Sequence, residues 1–396
     1  MLLNNDSLMR IFEYLDLPTL LVVTMTCHRW RMLSQYIMST RQVFDYRNSQ
    51  TLAVKLKDIY YEHSKQENMF KSILNNTDLL CLNLSSTHNE RKAPMGVVSA
   101  DCTQTITESC PNLQYFGAQE IVFTNNSLLF LQYFPNLAIL TLREVFENGS
   151  DLTEDSLNII LNHCRHLTHL DISDNQCIEG NRFNLLPKSL VFLNISGTAC
   201  SRNIVLEMIF ETCPLLEELH CADLEIDTEP LFLKDNVALK RLNVLSSVSN
   251  LLSANQLLID FSKFNKLEVL QLSGHCLDMG LKNLENTSLQ HLEIDYCYTL
   301  NGLHNFLDRL IGLKIQSLCC AGYDFANDNI ISVVIESLTR LKYLKHLDLS
   351  CWNLLNADHI AALFKSLPDL QQLEITDCPK VVLSDIKIPV TAIINT

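Results

Sequence analysis

The motif L-x-x-L-x-L, or a close variant of it, returns twelve times in this chain of 396 residues. It reads LLCLNL from residue 79, LQYFGA from 113, LAILTL from 137, LTHLDI from 167, LVFLNI from 190 and LEELHC from 216. It continues as LKRLNV from 239, LEVLQL from 267, LQHLEI from 289, IQSLCC from 315, LKHLDL from 344 and LQQLEI from 370. Successive starts lie 34, 24, 30, 23, 26, 23, 28, 22, 26, 29 and 26 residues apart. A period near 26 is too short for a domain and long enough for one supersecondary unit. Such a unit cannot bury its own apolar face, so neighbours must stack into a continuous core.

Between the leucine blocks a second pattern appears, with apolar residues at i, i+3, i+4 and i+7. It is carried by Leu157, Ile160, Leu161 and Cys164, then by Leu206, Ile209, Phe210 and Cys213. Leu303, Phe306, Leu307 and Leu310 repeat it, as do Ile331, Val334, Ile335 and Leu338, and finally Ile360, Leu363, Phe364 and Leu367. This is one face of an α-helix. Each repeat therefore reads as strand, loop, helix, loop, and the fold class as α/β. Residues 79–378 resemble the leucine-rich repeat solenoid, or horseshoe, which implies a parallel sheet on the concave side and helices on the convex side. The segments beginning at Cys110, Cys164 and Cys213, with those ending at Cys297, Cys351 and Cys378, resemble its cysteine-containing subtype. These cysteines fall where sister repeats hold Phe134 and Leu367, so they are expected as small buried hydrophobes.

Composition narrows the function. Hydrophobic residues make up 47% and charged residues 19% of the chain, and the latter lies below the roughly 25% of an average soluble domain, so most of the chain must be packed. The formal charge of -15 argues against nucleic acid, whose affinity for proteins comes largely from Lys and Arg displacing counterions. No apolar run approaches the roughly 20 residues that span a bilayer, and no secretory leader precedes the first motif. The fifteen cysteines lack CxxC spacing and read as reduced thiols, pointing to the cytoplasm or nucleus. Six Asn-x-Ser/Thr sequons occur, and Asn83 and Asn194 fall inside expected strands, so they are read as unused. His163, His166 and His169 straddle a loop and a strand and are not expected to converge on a metal. There is no Gly-rich phosphate loop, no nucleophile paired with a base and no metal set, so neither an enzyme nor a cofactor is expected.

Residues 1–40 differ from the rest. Residues 1–50 carry five arginines against four acids, so the net negative charge lies downstream. Leu8, Ile11, Phe12 and Leu15 recur at helical spacing, and Pro18 is placed to open a second helix. Leu20, Leu21, Val23, Cys27 and Trp30 carry the apolar positions onward. A bundle this small usually docks on something.

Residue by residue this stretch resembles the F-box, whose pattern is met by Leu3, Leu8, Ile11, Phe12, Leu15, Leu17, Leu20, Val23, Cys27, Arg29, Trp30 and Leu33. A helical cap shielding the first repeat would have no reason to match twelve spaced positions. The resemblance implies helices that interlock with a Skp-type adaptor of a cullin-RING ubiquitin ligase, through Leu3, Leu8, Ile11, Phe12, Leu15, Leu17, Pro18, Leu20, Val23, Cys27 and Trp30. It also implies repeats that capture a protein for ubiquitination. An interaction scaffold that recruits no ligase is the other reading, suggested by departures from the pattern. Asn4 replaces the usual proline and should loosen the first loop, and Thr19, Val22 and His28 replace polar or charged residues. Residues 41–78 lack the repeat and read as a partly helical connector. Residues 379–396 read as a cap over the last repeat and the open sheet edge.

In each strand the residues flanking the second leucine of the motif should face the concave side. That face reads as polar, dotted with His169, His291 and His346, and acidic toward its C-terminal half. Asp171, Glu293, Asp295, Asp348 and Glu374 are expected to select a basic segment of a protein partner, with Tyr115 and Phe192 as apolar anchors.

Overall fold

The computed structural model describes residues 4–15, 17–24, 26–45, 74, 79–85, 96–148, 150–200, 202–224, 238–244, 259–273, 277, 281–297, 302–382 and 393–395. The chain forms two compact units, Met1–Leu190 and Val191–Thr396.

The first unit begins with three helices: α1 (Asn5–Glu13), α2 (Leu17–Thr24) and α3 (His28–Ser39). Asn4 caps α1 by accepting the Ser7 N–H at 2.8 Å. The residue expected to loosen the loop therefore fixes the helix start, satisfying a donor that no residue inside the helix can reach. Leu8 and Phe12 of α1, Leu20 and Val23 of α2, and Ile37 and Met38 of α3 are buried. Arg29 Nε donates to Asn5 Oδ1 at 2.8 Å and Arg41 Nη2 to the Glu13 and Leu15 carbonyls, tying the ends of the bundle together.

After the bundle, Val43–Asp45, Cys81–Asn83, Tyr115–Gln119, Ile139–Arg143 and His169–Asp171 form neighbouring parallel strands. The first of these lies in the expected connector, so the sheet starts one strand earlier than the leucine motif announces. Val-Phe-Asp is too short to show a period, which is why it escapes a pattern search. The remainder of the connector, residues 46–78 apart from the buried Leu74, lies outside the described residues. Short strands at Gly96–Val98, Ile121–Phe123 and Phe146–Glu147 make a second parallel sheet, closed by Ser150–Asp151 running antiparallel.

In the second unit all nine main strands are parallel to their neighbours: Phe192–Asn194, Glu218–His220, Arg241–Val244, Val269–Leu272, His291–Glu293, Ser317–Cys319, His346–Asp348, Gln372–Glu374 and Ile393–Asn395. All twelve leucine motifs thus become strands of a leucine-rich repeat fold, and the tail adds one more against the last of them. The motif leucines, such as Leu219, Leu270, Leu318 and Leu373, are wholly buried.

The expectation of a helix in every repeat needs correction. Intervals of 26 residues or more hold α-helices at Ala100–Ser109, Glu154–His163, Arg202–Thr212, Leu303–Asp308, Asp328–Leu338 and Ala357–Ser366. The intervals of 24, 23 and 22 residues from 113, 167 and 267 hold 3-10 turns instead, at Ser127–Tyr133, Phe183–Leu185 and Leu284–Asn286. A 3-10 turn climbs roughly 2.0 Å per residue against about 1.5 Å for an α-helix, so fewer residues can cover the same distance back to the next strand. Cys110, Cys164 and Cys213 each follow a helix and are buried. Burial pushes the Cys164 and Cys213 thiols up to about 12. Phe364 lies only half inside, unlike its partners on the same helix. No described helix is long and apolar enough to cross a membrane.

Candidate interaction surfaces: the helical head and the inner sheet face

The head separates its apolar residues into two groups. Leu8, Phe12 and Leu20 are at most 3% exposed and Val23 is 9% exposed, so they form the core that holds the bundle together. Ile11 remains 47% and Trp30 36% exposed, and Cys27 is exposed, while Leu15 is half-buried. The Trp30 ring stands edge-on to Phe12 at 5.6 Å, so the indole is braced from beneath by the core and open above. Leu3 and the side chains of Leu17 and Pro18 lie outside the described residues. Val22, one of the departures from the pattern, adds exposed apolar surface, as do Tyr14, Met32 and Tyr36, which the sequence reading did not single out. Met32 and Tyr36 are four apart on α3 and share one face.

On the strands, one column of residues follows the second motif leucine. In the first unit it runs Asn83, Gly117, Thr141, Asp171. In the second it runs Asn194, His220, Asn243, Gln271, Glu293, Cys319, Asp348, Glu374, Asn395. Several members of this column have an internal task. Asn83, Asp171, Asn194 and Asp348 each accept the N–H of a serine two residues on, Ser85, Ser173, Ser196 and Ser350, at 2.8–3.1 Å. The Asx-turn closes the strand and bends the chain into its loop. The sequons at Asn83 and Asn194 are by-products of this Asn-x-Ser turn.

Two positions past the turn-closing residue, sister repeats share a serine that accepts the next repeat's N–H: Ser196 from Ala222 and Ser350 from Thr376. Asp295 stands in that place and accepts the Ala321 N–H at 2.7 Å. Burial, with the charges of Glu293 and Asp348, pushes its carboxyl up to about 6 against the opposing pull of that bond. The residue after the shared serine carries positive φ throughout, as at Glu144, Asp174, Gly197, Asp223, Gly322 and Asp377.

The expected substrate residues thus divide. Tyr115 is half-buried and folds over Gly117, where a Cβ would meet its hydroxyl at 2.6 Å. Phe192 packs on His220 at 5.4 Å, and His220 bonds Glu218 Oε1 at 2.8 Å. Asp171 accepts from Ser173 with both N–H and hydroxyl. Glu293, Asp295, Asp348 and Glu374 come together on neighbouring strands of the second unit. Among the described residues none of the four has a Lys, Arg or His within 4.0 Å. Among the described residues Glu293 and Glu374 accept only from amides, Glu293 from Gln271 Nε2 at 2.7 Å and Glu374 from Gln372 Nε2 at 2.7 Å and Asn395 Nδ2 at 3.4 Å. A depression of about 240 Å³ opens here, lined by Ser317, Cys319, His346, Asp348, Gln372 and Glu374. The Cys319 thiol on its floor is pushed up to about 12, by burial first and then by the surrounding carboxylates. His291 is held below its ordinary value by burial, with Arg241 and His346 adding to the effect. His163, expected in no metal site, bonds the Ile159 carbonyl, and His169 bonds the Thr168 hydroxyl.

Sequence reasoning missed three residues. Asn175, wholly buried, accepts the Val145 N–H and donates to the Leu142, Ile172 and Ser173 carbonyls. Trp352, wholly buried, occupies the slot that Cys297 and Cys378 fill in other repeats and donates to the Cys320 carbonyl. Cys351, grouped with those cysteines by its neighbours in sequence, is instead half-exposed with φ +62°. Aligning the repeats by the leucine motif instead of by the cysteines would have shown the one-residue offset. Tyr296 is the third, and it too has positive φ.

Residues 1–41 match the F-box domain family. The helical head is an F-box domain. The chain therefore joins an F-box to leucine-rich repeats, and the exposed Ile11, Trp30, Met32 and Tyr36 are surface of the F-box. No curated protein matches the chain. Among solved structures, the chain is similar to one titled the Rad7 and Elc1 complex in yeast, at 16% identity and a TM-score of 0.41, covering 88% of this chain and 97% of that one. It is also similar to an internalin (inlF) from Listeria monocytogenes str. 4b F2365, at 13% identity and a TM-score of 0.40, covering 76% and 81%.

Proposed function

We propose that the chain is a substrate receptor of a Skp/cullin/F-box ubiquitin ligase. The F-box docks on the Skp-type adaptor, and the inner strand face captures the protein to be ubiquitinated. The observation that carries this reading is the F-box match over residues 1–41, on a bundle that buries its own core and leaves Ile11 and Trp30 uncovered. Exposed aromatic and branched anchors are the residues that carry interface energy. The role asks no catalytic group of the chain. Its captured partner presents a basic segment, since the carboxylates of Glu293, Asp295, Asp348 and Glu374 lack internal cations and the chain carries -15 overall. Opposite charge across such a face steers encounter and excludes acidic competitors.

The test is co-purification of the full chain with a Skp-type adaptor, beside the variant Ile11→Asp with Trp30→Ala. Ile11 is exposed and Trp30 partly so, so the variant should stay folded, with a lowered melting temperature from the lost Trp30–Phe12 contact, and lose the adaptor. Retention of the adaptor by a folded variant, or no binding by the wild type, defeats the reading.

A further inference from the structure

Tyr296 breaks the rule of its column. Among the described residues the other repeats use Glu, Asp or Gly at this left-handed position, with Cys351 the other exception. A bulky side chain is uncommon at positive φ and marks a site held by its surroundings. The ring is 60% exposed. It lies across the turn of the next repeat, where a Cβ on Gly322 would meet ring carbons at 2.2, 2.3 and 2.8 Å. Its hydroxyl reaches Cys351 Sγ, one repeat further on, at 3.8 Å. Repeats lie roughly 4.8 Å apart, so the ring spans this distance only because Gly322 between them has no side chain. The Tyr296 ring is thus spread flat, pinned at both ends and open to solvent on its outer side. Asp295 and Asp348 are close enough to act on its phenol electrostatically. In the first unit Tyr115 also folds over a glycine, but there the ring is half-buried.

We propose that the Tyr296 ring, spread over Gly322 beside Asp295 and Asp348, is the seat of an arginine side chain from the protein that the repeats capture. A planar guanidinium stacks on an aromatic face while its edge meets carboxylates, a combination that a lysine ammonium matches less well. An immobilised ring loses no rotamer entropy when the guanidinium arrives, which favours a pinned tyrosine over a free one. The proposal rests on the reading of the inner face as a site for a basic segment, and adds to it the residue that reads one side chain of that segment.

The test uses the full chain and a fluorescent peptide of alternating glycine and arginine, with lysine and glutamate counterparts, followed by anisotropy at low salt. The arginine peptide should bind more tightly than the lysine one, and the glutamate peptide not at all. Tyr296→Ala changes no charge, so generic attraction to an acidic protein is untouched by it. It should weaken the arginine peptide by about 2- to 5-fold. Tyr296→Phe keeps the aromatic face but loses the hydroxyl's hold on Cys351, so it should bind between wild type and Tyr296→Ala, and Gly322→Ala, if its melting temperature is near wild type, should match Tyr296→Ala by lifting the ring. Unchanged binding by Tyr296→Ala overturns the proposal. If Asp348→Lys with Glu374→Lys then abolishes binding, the ring is wrong and the basic-segment reading stands. If that double variant binds normally, or the arginine peptide fails to bind wild type, both fall.

Discussion

The strand-end columns of the two units are built from the same repeat but carry charge differently. In the first unit Asp171 is engaged by the N–H and hydroxyl of Ser173, and Asp174 pairs with Arg143 at 2.7 Å. The Arg143 guanidinium is raised further by that hydrogen bond. In the second unit Glu293, Cys319, Asp348 and Glu374 are direct neighbours in register, and no cation offsets them among the described residues. Like charges on adjacent strands destabilise a sheet. A fold that keeps them together without a counter-charge is storing electrostatic energy that a cationic partner can release. One repeat position therefore closes turns in both units, through Asp171 and Asp348, and in the second unit it also sets Asp348 beside Glu374 with no Lys, Arg or His within 4.0 Å among the described residues.

The sharpest contrast is between two residues that hold the first inward slot after the turn, Asn175 in the first unit and Trp352 in the second. The first unit puts Asn175 there, with four hydrogen bonds to backbone groups of its own and the preceding repeat. The second puts Trp352, which fills the slot with apolar bulk and a single bond. Asn175→Ala strands several buried backbone groups at once, each worth about 1 kcal/mol or more, so a loss of roughly 3 kcal/mol is expected. Urea unfolding should show this loss in a transition assigned to the first unit, with adaptor-independent peptide binding by the second unit retained. A loss below about 1 kcal/mol would mean that water replaces the amide, and the two slots would then not differ in kind.

The leucine motif made the strands legible because a buried parallel strand needs an apolar residue at each inward position and tolerates little else. Helices were legible only where 26 or more residues separate the motifs, since the shorter 3-10 return leaves no i, i+4 face to detect. The F-box was legible from its spaced apolar positions, yet spacing could not say which of them face inward. Phe12 and Ile11 look alike in a pattern and differ wholly in exposure. The acids of the inner face fall on the strand ends where the motif puts them, but a second task of two of them was not legible: Asp171 and Asp348 differ from Asn83 and Asn194 by one atom type and do the same turn-closing work. The Asn-x-Ser and Asp-x-Ser pairs were visible throughout and were read as sequons or as charge. Tyr296 could not be found from sequence, because its role depends on Gly322 in the next repeat and Cys351 in the one after.

Asp295 offers a test of the stored charge. Its carboxyl is pushed from 3.8 up to about 6, so the folded chain holds this proton at pH values where the unfolded chain has lost it. Stability from this group is therefore full below its unfolded value and is lost as pH rises through about 6. Asp295→Ser restores the residue found at Ser196 and Ser350 and keeps an acceptor for Ala321. The variant and wild type should melt alike near pH 4, and the variant should gain on wild type as pH rises from there to about 6 and level off above it, by on the order of 1 kcal/mol once solvent screening of a partly exposed group is allowed for. A constant difference across this range would mean that Asp295 titrates normally and that the second unit carries no such strain.

The smallest effect separates the columns most cleanly. Asp171→Asn and Asp348→Asn both keep the oxygen that accepts the serine N–H, as Asn83 and Asn194 already do. Each should therefore change stability by no more than about 0.5 kcal/mol. Both remove one negative charge, so any effect that depends on net charge alone must be equal in the two. Recognition is not expected to be equal: Asp348→Asn should weaken the arginine peptide by about 2- to 5-fold, as one partly exposed ion pair allows, while Asp171→Asn leaves it unchanged. Equal losses measured by anisotropy would show that the peptide senses only the overall field of the chain. The strand-end acids of the two units would then be equivalent after all, and the depression beside Asp348 would be no more than a feature of the surface.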